Sequence, residues 1–133
     1  MSIAEASSAL GAPLGLPEGV DAAACSYLRW PGGPDGVSVM VEHLSIARVD
    51  VRSGSMATEA GARIGDPDER IRRLYAGRVT ASPHKYTEGQ YLIVTPASPA
   101  DSAFRLIFET EAGRVTRYRS GRLPQVEYVE GCS

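Results

Sequence analysis

The chain has 133 residues, 43% of them hydrophobic and 23% charged, with a formal net charge of −2. That length and apolar content suffice for one ordinary core, and the near balance of charge excludes a polyanion-binding surface or a disordered acidic tail, so nucleic acid is not an expected partner. No apolar run approaches the roughly 18 residues that a membrane-spanning helix needs, and no integral membrane span is expected.

In chain order, Met1 is followed at once by Ser2-Ile3-Ala4-Glu5, a capping box in which a hydroxyl takes the N3 amide and a carboxylate reaches back to the first one. It predicts a helix over 2–11, with Leu10 apolar and Gly11 as the stop. The placement is that of a mature domain whose leader has been replaced by a start codon. Strands are predicted over 25–30, 37–43 and 46–52, with the turn formers of 31–36 between the first two. Trp30, next to Pro31, reads either as a lid on the core or as an exposed anchor. Asp66-Pro67-Asp68-Glu69 repeats the capping pattern, with Pro67 where a missing N–H costs nothing, and predicts a helix over 66–76. Strands over 90–95, 104–110 and 113–119 follow, joined by the loop 96–101 and the short hairpin connection Glu111-Ala112-Gly113, and a tail strand is predicted over 125–129.

The chain parallels itself. Val37-Ser38-Val39-Met40-Val41-Glu42 matches Phe104-Arg105-Leu106-Ile107-Phe108-Glu109, and the strands that follow both end in Arg-Ser-Gly, at Gly54 and Gly121. The expected fold class is therefore α+β. One domain, 1–133, would hold two tandem helix-plus-antiparallel-strand units, 1–54 and 55–133, with both helices packed on one face of a mainly antiparallel sheet. The inward stripe would be Val37, Val39, Val41, Val49 and Val51 with Phe104, Leu106, Phe108, Thr116 and Tyr118. The outward stripe would carry Met40, Asp50, Arg52, Ile107, Arg117 and Arg119, either as a solvated face or as a surface for a partner.

Two cysteines, Cys25 and Cys132, stand far apart. In a small exported protein they read as one disulfide, in a cytosolic protein as two separate thiols. The bridged reading is preferred, and closing so long a loop would be worth on the order of 4 to 5 kcal/mol through the entropy of the unfolded chain.

The segment Ile64-Gly-Asp-Pro-Asp-Glu-Arg-Ile-Arg-Arg-Leu-Tyr75, followed by antiparallel strands, resembles the small lipoprotein family of outer-membrane assembly factors. Two such units in tandem are similar to the beta-lactamase inhibitor protein family, whose concave sheet grips an enzyme. Tyr75, Pro83-His84-Lys85-Tyr86, Phe108-Glu109-Thr110, Gly121-Arg122-Leu123-Pro124 and Glu130-Gly131-Cys132-Ser133 also look like small exported proteins of proteobacteria. The resemblance implies a bacterial periplasmic or secreted domain that binds another protein and has neither a metal nor catalysis. This sequence departs from the inhibitor pattern in having one possible bridge between its units instead of one within each.

Motifs for chemistry are scarce. His43 and His84 are the two histidines, and no pair of Cys and His has the close spacing that fixes two zinc ligands, so neither metal nor cofactor is expected. No nucleophile elbow or phosphate-cradling glycine loop is present. Asp66, Asp68 and Glu69 are explained by helix capping, whereas Pro83-His84-Lys85-Tyr86-Thr87, with Tyr91 after it, gathers an imidazole, an ammonium and two aromatic rings. The candidate partner-binding residues are therefore His84, Lys85, Tyr86, Tyr91, Met40, Ile107, Arg117 and Arg119. The alternatives are a small hydrolase using His84 with Glu109 or Glu127, and an envelope protein that oligomerises through its outward strands.

Overall fold

A computed structural model describes residues 1–132; Ser133 lies outside the described residues. Seven antiparallel strands form a single sheet: β1 (Ser26–Tyr27), β2 (Val37–Glu42), β3 (Ser45–Val51), β4 (Val79–Pro83), β5 (Gln90–Val94), β6 (Phe104–Glu111) and β7 (Arg114–Arg122). Their order across the sheet is β1-β2-β3-β7-β6-β5-β4. Two helices of eight and seven residues, α1 (Ile3–Leu10) and α2 (Asp68–Leu74), complete the regular structure with two short 3-10 turns.

The architecture corrects the expected pair of helix-plus-strand units with helices layered on the sheet. Each helix buries one residue, Ala6 in α1 and Ile71 in α2, and the sheet runs unbroken through both halves of the chain. The first capping box forms as read: Glu5 N–H donates to Ser2 Oγ and Ser2 N–H donates to Glu5 Oε1, both at 3.0 Å. The second does not. Extended Pro67 takes the cap position, and the Asp66 carboxylate turns instead to Arg63 N–H and, at 2.6 Å, to the Arg70 guanidinium. Without a side-chain cap the helix starts at Asp68 and is spent by Tyr75.

The internal parallel survives in two hairpins, but in a different register. β2 and β3 turn through His43 and Leu44, β6 and β7 through Ala112 and Gly113, and all four residues have positive φ, which matches the turn to the twist of the strands. Each hairpin then breaks register at the same place. Val41 pairs with Ile46 and Met40 with Arg48, leaving Ala47 unpaired; Thr110 pairs with Val115 and Glu109 with Arg117, leaving Thr116 unpaired. These bulges make Met40 equivalent to Glu109, Arg48 to Arg117 and Asp50 to Arg119. The sequence parallel, which sets Glu42 against Glu109, is off by two residues, since Glu42 and Glu111 hold the same place beside their turns. A bulge also reverses which residues face inward. Val115, not the exposed Thr116, enters the core, and Phe104 at the start of β6 is half exposed.

One face of the sheet carries two apolar clusters. Ala6, Leu14, Leu28, Val39 and Val41 pack beside α1, with Trp30 leaning on them as a lid. Val51, Ile71, Tyr75, Leu92, Phe108, Val115 and Tyr118 pack beside α2. The halves meet where β3 pairs with β7, and there Gly121 lies against Arg48; a Cβ on Gly121 would overlap the Arg48 Cβ and the Ala47 carbonyl, so only glycine permits the approach.

The opposite face, expected to be open, is covered. The predicted tail strand is instead a 3-10 turn, Gln125–Glu127, after a cis Leu123–Pro124 bond, and the chain from there to Cys132 lies across the sheet. Val126 is fully buried with Tyr91 and Ile107 beneath it. Cys132 is joined to Cys25, next to β1, so the tail spans from β7 toward the far edge of the sheet.

Candidate functional site, the His84 corner

Beneath the tail lies a band of charge. Arg48 donates through Nε to Asp50 Oδ2 at 2.9 Å and through Nη1 to the carbonyls of Gln125 and Tyr128 at 2.9 and 2.7 Å. Arg119 donates through Nε to the Val126 carbonyl and through Nη1 to Glu109 Oε2, each at 2.5 Å. Both guanidiniums are nearly inaccessible, 4% for Arg48 and 3% for Arg119. Buried charges of this kind persist only when paired and hydrogen-bonded, and the tail carbonyls complete what the carboxylates leave open.

The second carboxylate oxygen of Glu109 meets His84 Nε2 at 2.7 Å. His84 sits where β4 ends, in a loop closed by its own N–H to the Gly89 carbonyl at 3.0 Å. Gly89 is obligatory, because a Cβ there would overlap the Thr110 carbonyl. His84 Nδ1 accepts from the N–H groups of Tyr86 and Thr87 at 3.0 and 3.2 Å. With Nδ1 an acceptor, the ring proton lies on Nε2 and is donated to Glu109. The imidazole also stacks on Tyr91 at 4.6 Å between centroids, and the Tyr91 hydroxyl accepts from Lys85 N–H at 3.1 Å. Both ring nitrogens are thus engaged, so the ring as placed offers no nitrogen to a substrate.

The predicted site residues separate into two groups. His84, Tyr91 and Arg119 come together in the network just described, and Lys85, Tyr86 and Arg117 are exposed around it. Tyr86 is 60% exposed, with the Lys85 ammonium 5.1 Å from its ring centroid and 3.4 Å from Glu130. Met40, Ile107 and Arg119 are corrected as partner-binding residues: at 0%, 2% and 3% exposure they lie in the interior and present nothing to a protein partner. Among the other residues weighed, His43 is exposed at a hairpin tip and Glu127 is exposed on the tail, and the carboxylate that bonds His84 is that of Glu109. Among the described residues no group of three or more His, Cys, Asp or Glu is placed to hold a metal ion.

No protein-family model, curated protein or solved structure matches the chain.

Sequence reasoning missed Arg48 and the tail as parts of this face. Two signals pointed to them: a glycine, Gly121, inside a strand, which marks a close approach of another chain segment, and a cysteine so near the terminus that its bridge must pull the tail back over the sheet.

Proposed function

We propose that the chain is an exported, non-catalytic domain that binds another protein through the Lys85–Tyr86 loop and the adjoining Arg117, acting in a bacterial periplasm or outside the cell. The observation that carries this reading is that an exposed tyrosine and a lysine ride on a loop whose base is fixed by a buried network. A side chain already held in place loses little entropy when it is bound, and tyrosine and arginine supply much of the energy at protein interfaces. Export is supported by the Cys25–Cys132 disulfide, a bond that persists in oxidising compartments.

The test is capture of a stoichiometric partner from an envelope extract by the immobilised full chain. Tyr86→Ala and Arg117→Glu should each reduce capture at least about tenfold, which corresponds to about 1.4 kcal/mol, and Arg73→Glu on exposed α2 should leave it unchanged. Equal capture by all four proteins would remove the loop from the account.

A further inference from the structure

A cavity of about 270 Å³ opens between the sheet and the tail, lined by Tyr27, Arg48, Asp50, Arg52, Glu109, Arg117, Arg119, Val129, Glu130 and Gly131. Four of these residues are arginines, and they are not equivalent. On its floor Arg48 is neutralised by Asp50 and Arg119 by Glu109. Glu109 has no oxygen left over, since its other one takes His84, and Glu130 is engaged by Lys85. Arg52 and Arg117 remain. Neither side chain has a hydrogen bond or ion pair among the described residues.

Their placement makes this costly. The last registered pair of β3 and β7 is Val51 with Tyr118; Arg52 is the first residue past β3, and the register continued by one step would set it across from Arg117, on the face that holds Asp50 and Arg119. Like charges directly opposite on adjacent strands repel. Two guanidiniums without a bonded partner, lining one polar cavity whose carboxylates are each bonded elsewhere, suit a doubly charged oxyanion.

We infer that this cleft is a phosphoryl-binding site in which Arg52 and Arg117 clamp the oxygens of a phosphate or phosphomonoester group, above a floor whose own charges are balanced. The site requires no protein partner and does not use Tyr86.

Titration calorimetry of the full chain with inorganic phosphate, at constant ionic strength in chloride, tests it. One saturable site is expected, weakened at least about tenfold by Arg52→Ala and by Arg117→Ala, a loss of about 1.4 kcal/mol each, and unaffected by Arg73→Ala or Tyr86→Ala. Thermal unfolding supplies a second readout whose sign is distinctive. In chloride alone each variant should be at least as stable as the parent, because a repulsion has been removed; in phosphate only the parent should gain. Absence of saturable heat, or binding that persists in both arginine variants, would overturn the inference. A phosphoserine peptide run beside free phosphate tells the source: binding of both points to a phosphorylated macromolecule, and binding of phosphate alone to the free anion. Loss of partner capture in Tyr86→Ala with phosphate binding intact separates this site from the protein-binding one.

Discussion

The β2–β3 and β6–β7 hairpins have the same backbone and opposite chemistry. Each turns through two residues of positive φ and each carries a bulge at the same step, yet the equivalent positions hold Met40 in one and Glu109 in the other. Met40 is wholly buried and serves packing. Glu109 is nearly as buried and serves as the joint between His84 and Arg119. The next position differs in the other direction: Arg48 is tied down by Asp50 and the tail, whereas Arg117 stands exposed with no bonded partner among the described residues. One backbone device therefore fixes the floor in the first half and presents charge in the second.

Making the second hairpin like the first would break that contrast most severely. Glu109→Met leaves Arg119 and His84 buried without their carboxylate, and a loss of about 3 to 5 kcal/mol is expected in urea unfolding. A variant as stable as the parent would mean that the network contributes nothing. Met40→Ala, the counterpart in the first hairpin, removes packing only, with an expected cost of about 2 to 5 kcal/mol set by how far the cavity collapses. Its signature is selective: Tyr86 and Arg117 keep their environment, which chemical shifts of the loop would report.

The tail binds the two hairpins together, and its release should cost less than the network. Replacing Cys25 and Cys132 by serine is expected to lower stability by about 2 to 4 kcal/mol, with the amides of residues 128–132 exchanging faster while Val126 stays protected by its own burial. Uniform loss of protection across the sheet would show that the disulfide holds the whole fold and not the tail.

The smallest effect concerns the apolar face. Burial, and the charge of neighbouring Tyr75, hold the Tyr118 phenol above its ordinary value of 10.0. Because the folded value is the higher one, the stability from this group is complete below pH 10.0 and is lost as the pH rises through the folded value. Tyr118→Phe should flatten that alkaline decline in urea midpoints while also losing the 2.6 Å bond from its hydroxyl to the Met56 carbonyl. An unchanged alkaline slope would assign the decline to other groups.

Six of the seven strands and the first helix were legible because alternation and a capping box are local signals, whereas β4 (Val79–Pro83) was not expected and the strand expected over 125–129 is a 3-10 turn. Val39 and Val41 alternate with Ser38 and Met40, and Ser2 and Glu5 lie three residues apart. Part of what escaped was set by partners distant in sequence, and part by near neighbours that divert a local signal. Asp66 has the composition of a cap but is drawn off by Arg70, Thr116 alternates correctly until a bulge displaces it, and Ile107 looks outward-facing until the tail is known to cover it. The His84 loop stood out by its mixture of residues. Its geometry depends on Glu109, which the sequence named beside His84 as an alternative to Glu127 and which the structure joins to the ring at 2.7 Å with both ring nitrogens engaged.

The central claim is that His84 fixes the loop that presents Tyr86, and amide hydrogen exchange measures this directly. The N–H groups of Tyr86 and Thr87 both donate to His84 Nδ1, so slow exchange is expected in the parent and fast exchange in His84→Ala, with β5 and β6 still protected. Equally fast exchange of these two amides in both proteins would contradict the claim and leave Tyr86 on a loop that nothing holds.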